Sequence, residues 1–230
     1  MPTIITSSSF TKNSDRRRAP DRATDLPVAH ERQDSHMKTS TDAYFSADIE
    51  TDGSIPGPFS MLSFALVFAG TFDGKKFVRP EKYDLVFYKE LRPISNDYDE
   101  EALRVNGLDR KFLCENGDNP SDVMDSAYNW IMSLAGVSNP VLVAYPLSFD
   151  WAWLYWYFMK FSKNGSPFSH FRCFDIKTAL AVKAKLPIST AGRSRLPVSL
   201  APSGHHTHHA RDDAIEPAMI FANVFEWRGV

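Results

Sequence analysis

Nine consecutive residues, Met61 to Ala69, are apolar apart from Ser63. A bilayer-spanning helix needs about 20 such residues, so this run does not cross a membrane. Its continuity marks a strand buried on both faces. Such a strand needs covering layers above and below. Ala43 to Ile49 reads as a preceding strand that enters a turn at Asp52-Gly53. Gly70 and Asp73-Gly74 turn the chain into a third strand, about Leu85 to Leu91. The second strand is then antiparallel to the third, and to the first. Helical patterns follow at Asp99 to Asn106, ending at Gly107, and at Ser121 to Ala135, stopped by Gly136 and Pro140. Val141 to Ala144 is a short buried strand, and Phe149 to Phe161 a helix with aromatics on almost every face. Arg172 to Phe174 reads as a last strand and Asp175 to about Lys185 as a helix. A Pro-, Ser- and Gly-rich loop over 186–207 leads to a closing helix, His208 to Phe225. Residues 43–230 thus form one α/β domain.

Residues 1–42 differ from the rest. They hold Ser7-Ser8-Ser9 and Arg16-Arg17-Arg18 and no apolar periodicity, which predicts a disordered N-terminal extension. The segment has no apolar core of a secretory signal, and Met37 is a candidate start. With 43% apolar and 23% charged residues, the chain has an ordinary globular composition. A net charge of −2 argues against a protein that coats nucleic acid by charge alone. It leaves room for a nuclease whose acidic site binds phosphate through metal ions. Two cysteines, Cys114 and Cys173, without a Cys-x-x-Cys, exclude a disulfide scaffold and a thiolate zinc site, and make a cytoplasmic setting the default.

Three acidic clusters sit at element ends. In Asp48-Ile49-Glu50, strand alternation sends both carboxylates to one face and Ile49 into the core. Carboxylates side by side repel unless they share a cation. Asp150 follows a buried strand at the start of a helix, and His208-His209-Ala210-Arg211-Asp212-Asp213 opens the last helix. In an α/β sheet, strand C-termini and helix N-termini converge on one rim. Carboxylates gathered there suit Mg²⁺ or Mn²⁺. Two such ions clamp the attacking and leaving oxygens of an in-line phosphoryl displacement, and a nearby His takes a proton from the attacking water.

Ala47-Asp48-Ile49-Glu50-Thr51-Asp52-Gly53, then Phe149-Asp150, then His208 with Asp213 five residues on, resembles the DEDDh 3′–5′ exonucleases. That family includes polymerase proofreading subunits, RNase T and oligoribonuclease. The resemblance covers about residues 43–225, and Glu101 to Leu108 resembles the family's segment between its first two motifs. It implies a ribonuclease-H-like fold, a mixed five-stranded sheet flanked by helices. It also implies that Asp48, Glu50, Asp150 and Asp213 hold two Mg²⁺ or Mn²⁺ ions, with Asp48 bridging both and His208 as general base. Thr51 and Asp52 would lie beside the terminal nucleotide, Val105 and Asn106 near its base, and Phe149 below the site. The substrate implied is the 3′ end of single-stranded RNA or DNA. Many relatives have His-Asn before the second motif, where this chain has Tyr145-Pro146. That difference bears on how the second loop and the substrate are held.

Competing readings attach to the same residues. Asp48 and Glu50 on their own would be a solvated strand end, and Asp150 a helix N-cap. Asp212 reads as a helix N-terminal charge, leaving Asp213 as the ligand. His205, His206, His208 and His209 raise a zinc-dependent hydrolase, although a Ser- and Gly-rich loop does not fix zinc ligands well. Arg193 and Arg195, in the preceding loop, are solvated side chains or phosphate contacts in equal measure. A catalytically silent binding module would be marked by a lost carboxylate, and none is lost. A proofreading subunit on a polymerase is a variant of the leading reading. The aromatic helix Phe149 to Phe161 needs cover on more than one side, from this chain or from a second copy, and homodimers among relatives favour the second copy.

Overall fold

The computed structural model describes residues 40–202 and 210–230, with side chains in the last segment from Asp213 onward. The first strand, β1 (Asp42–Thr51), lies at the centre of a mixed sheet. It pairs antiparallel with β2 (Met61–Phe72) and parallel with β5 (Asn139–Ala144). Beyond β5 runs β6 (Cys173–Asp175), also parallel. On the other edge, β3 (Phe77–Val78) and β4 (Val86–Glu90) pair with opposite ends of β2. The sheet therefore has six strands and is five wide, the ribonuclease-H-like arrangement with a two-residue strand added beside β4.

Alternation along β1 sorts the core into two layers. Ala43, Phe45, Ala47 and Ile49 face one side, with Phe64 and Leu66 of β2. Helices α3 (Pro120–Ala135) and α4 (Leu147–Phe161) cover that side. Tyr44 faces the other side, with Ala65, Val67 and Ala69, under α5 (Ile176–Lys183) and α6 (Ala210–Glu226). The two layers explain the unbroken apolar run in β2, which is buried from Met61 to Val67.

Two short helices, α1 (Glu100–Asn106) and α2 (Arg110–Asn116), link β4 to α3. The sequence reading misses α2. Only Leu113 of it is buried, so no apolar stripe marks it, and its start rests on a local cap from Asp109 to the Phe112 amide. The loop over 186–202 is also more ordered than its composition predicts, with 3-10 turns at Ile188–Thr190, Arg193–Arg195 and Val198–Leu200.

Helix α4 starts at Leu147, two residues earlier than the periodicity predicts. Its first amide donates to Asp175 Oδ2 at 2.6 Å, while Asp175 Oδ1 accepts from Thr178 N at 2.6 Å. One carboxylate thus caps α4 and α5 together. Trp153, Leu154, Tyr157 and Phe158 are buried, and Trp151, Trp156 and Phe161 pack on the same core. This chain covers most of the aromatic surface of α4, and Phe149 remains 42% exposed. Among the described residues no helix is long and apolar enough to cross a membrane.

Candidate active site

The end of β1 meets the first turns of α4 and α6. Asp48 and Glu50 project to the α6 side, as alternation requires, and Ile49 packs into the opposite layer. Asp213, one turn into α6, is buried. Carboxylate oxygens of Asp48, Glu50 and Asp213 lie within 4.8 Å of one another. Asp150, in the first turn of α4, stands beside this triad and is buried.

Burial and like charge set the electrostatics. Burial is the main cause that pushes the Asp48 carboxyl well above the usual carboxylate range, and Asp150, Glu50 and Asp213 add to it. Burial also lifts Asp150 to about 8, against hydrogen bonds from its own backbone amide and that of Ile49. The Arg193 guanidinium acts the other way on both residues. Crowded, partly desolvated carboxylates are costly to ionise, and a divalent cation offsets that cost directly. The donor set fits one well: hard oxygens only, from strand and helices rather than loops.

On the far side of Glu50 a cavity of about 390 Å³ opens between β1 and α1. Thr51, Ala102, Val105, Asn106 and Phe149 line it. Val105 is 71% exposed and Phe149 42%, so both present apolar surface to whatever enters. The α1 wall is tied to the strand end by backbone acceptors. Asn106 Nδ2 donates to the Thr51 carbonyl at 2.9 Å, and the Asp99 amide donates to the Asp52 carbonyl at 2.7 Å. Thr51 Oγ1 donates to the Gly53 carbonyl at 2.7 Å. A Cβ on Gly53 would lie 2.1 Å from the Phe59 ring, so the turn is packed to the glycine backbone.

Asp52 does not line this cavity. It is fully buried and accepts from the Ser60 amide and from Arg110 Nε at 2.8 Å. Arg110 also donates to the Ser95 carbonyl and lies 4.9 Å from the Tyr98 ring centroid. The structure therefore puts Asp52 behind the pocket, in an ion pair with the helix that the sequence reading misses. His208 lies outside the described residues, as do His205, His206 and His209 and the Asp212 side chain.

One side chain that composition left undecided stands at this centre. Arg193 makes an ion pair with Glu216 at 3.3 Å and lies over the Tyr145 ring, 5.9 Å from its centroid. Tyr145 is buried and donates its hydroxyl to the Ala191 carbonyl at 3.1 Å.

No family model matches the chain. It is 30% identical over 186 residues to the 3′–5′ DNA exonuclease Cap18 of Escherichia coli, a match covering 80% of this chain and 92% of that protein. The chain belongs to the DEDDh 3′–5′ exonuclease family. Solved structures of DEDDh and other nucleases share its fold. The nuclease domain of 3′hExo, a DEDDh family member bound to rAMP, superposes with a TM-score of 0.55 at 12% identity, over 84% of this chain and 94% of that one. Cell-death related nuclease 4 superposes with a TM-score of 0.53 at 16% identity, over 82% of this chain and 64% of that one. Exonuclease I gives 0.54 at 16% identity, over 81% of this chain and 41% of that one. This chain thus spans less than two thirds of the last two nucleases.

Proposed function

We propose that this DEDDh protein removes nucleotides from the 3′ end of single-stranded nucleic acid in a metal-dependent hydrolysis. The observation that carries the reading is the convergence of Asp48, Glu50 and Asp213 oxygens within 4.8 Å, with Asp150 alongside, at the mouth of a nucleotide-sized cavity. Asp48, Glu50, Asp150 and Asp213 would hold two Mg²⁺ or Mn²⁺ ions. Bound there, the ions would supply a nucleophile at neutral pH and offset charge on the phosphoryl oxygens. The cavity would take the terminal nucleoside, with Val105, Ala102 and Phe149 against its apolar faces. Thr51 and Asn106, held in place by bonds to the Gly53 carbonyl, the Thr51 carbonyl and the Leu108 amide, would stand beside it with hydrogen-bonding capacity left for the nucleotide. His208, five residues before Asp213, would accept the proton of the attacking water. DNA is the first substrate to test, since Cap18 is named a DNA exonuclease.

The activity belongs to residues 43–230 in this reading, and a chain lacking residues 1–36 is expected to retain it. The test is digestion of matched 5′-labelled DNA and RNA oligonucleotides, single- and double-stranded, with Mg²⁺, Mn²⁺ or chelator. A ladder shortened from the 3′ end, absent in chelator, is expected. Intact substrate with both ions, or digestion untouched by chelator, rejects the reading.

A further inference from the structure

The loop before α6 does more than connect. Tyr145 stands where many family members have His, four residues before Phe149 of the second motif. Its hydroxyl donates to Ala191 O at 3.1 Å, and its ring underlies the guanidinium of Arg193. Glu216 takes the same guanidinium at 3.3 Å, one helical turn after Asp213. Ala191 is fully buried and Tyr145 nearly so, which fixes the 3-10 turn Arg193–Arg195 against the second-motif strand end. Arg195, on the same turn, is exposed. The loop therefore delivers one of its two arginines to the catalytic rim and leaves the other in solvent.

We propose that Arg193 is a substrate-binding residue that contacts the phosphodiester at the carboxylate centre, and that Tyr145 is the positioning residue that holds it there. The inference rests on the exonuclease reading above. Charge supports it. The rim holds five carboxylates, Asp48, Glu50, Asp150, Asp213 and Glu216, so a phosphodiester arriving there needs cationic donors beside the metal ions, and Arg193 is one. Geometry holds the guanidinium at the rim: Tyr145 directly follows β5 on the way to Asp150, and Glu216 stands one helical turn after Asp213. The planar guanidinium fork matches the oxygens of a phosphate as well as those of a carboxylate.

The test uses the full chain and a 5′-fluorescent single-stranded oligodeoxynucleotide. Binding is measured by anisotropy against KCl with Ca²⁺ replacing Mg²⁺, and turnover separately with Mg²⁺. R193A is expected to raise KM roughly tenfold, as loss of a charged hydrogen bond does. It should also flatten the slope of log K against log salt by about 0.7, the amount for one phosphate contact on a single strand. R193K keeps the charge and should restore the slope. R195A changes net charge equally and should leave the slope at the wild-type value. Y145F should raise KM with kcat unchanged.

A wild-type slope in R193A, or the same flattening in R195A, overturns the assignment of Arg193. A fall in kcat with KM unchanged in Y145F overturns the part given to Tyr145. Wild-type protein that digests the oligonucleotide while R193A keeps its slope sinks this inference alone. Wild-type protein that neither binds nor digests it sinks the exonuclease reading and this inference together.

Discussion

Asp48 carries two loads at once, as a member of the carboxylate triad and as part of the central strand. Asp48→Ala keeps the strand and removes a ligand. Turnover is expected to fall at least about a hundredfold, since metal-assisted charge stabilisation supplies several kcal/mol. Near wild-type digestion by that variant would dismiss the site. His208→Ala should lower kcat far more than it raises KM, and His209→Ala should do little; a dead His209→Ala with an active His208→Ala would shift the motif register by one. The buried pair Asp52–Arg110 makes a separate prediction. Arg110→Ala leaves a fully buried carboxylate without its partner and should destabilise by about 3–5 kcal/mol in urea unfolding. Adding Asp52→Asn should recover much of that loss, and an additive double variant would show that the pair is not coupled. The residues most legible in the sequence are those whose placement follows from local periodicity. Asp48 and Glu50 share a face because strands alternate, and that needs no knowledge of the rest of the fold. Asp52 was not legible, because its partner lies 58 residues away on a helix without an apolar stripe.

Among the elements, α4 shows how a helix with aromatics all round is used. Tyr157 is fully buried, and its hydroxyl accepts from the Met61 amide at 2.7 Å. That bond joins the middle of α4 to the first residue of β2, and so fixes the helix that carries Asp150 against the sheet. Tyr157→Phe leaves a buried amide without an acceptor and is expected to cost about 1–3 kcal/mol. Chemical denaturation with wild-type m-value would measure it, and a change under about 0.5 kcal/mol would show the bond to be replaceable. The strands were legible because continuous apolar runs bounded by Gly and Asp leave few alternatives. Helix starts were less so: α4 begins at a cap supplied by Asp175, which lies 28 residues further along the chain. The 3-10 turns between α5 and α6 were hidden for a similar reason, since Tyr145 and Glu216 hold them from distant parts of the sequence.

For the molecule as a whole, the acidic centre trades stability for function. Asp150 is raised from 3.8 to about 8 in the fold, chiefly by burial, so folding favours its protonated form. Its contribution is fully present below about pH 4 and is lost as pH rises toward 8. Asp48 acts in the same direction. In chelator, Asp150→Asn is therefore expected to melt above the wild type at pH 8, by a few degrees, with the difference vanishing near pH 4. Divalent ions should raise the wild-type melting temperature more than that of the variant. Equal melting curves at pH 8 would show that the carboxylates are not under strain. The sequence could anticipate carboxylates converging on one rim from topology alone. It could not anticipate how deeply they are buried, because that depends on how α4 and α6 close over the end of β1.

The α1 wall of the cavity has no buried residue and is moored to the strand end by polar bonds at its two ends. Its inner surface can therefore drift in sequence at little cost to folding, while the carboxylates stay on elements that tolerate almost nothing. Substrate range and chemistry are inherited separately in such a molecule. With the cavity taking the terminal nucleoside as proposed, a library confined to Ala102 and Val105 is expected to sample new end preferences without risking the scaffold.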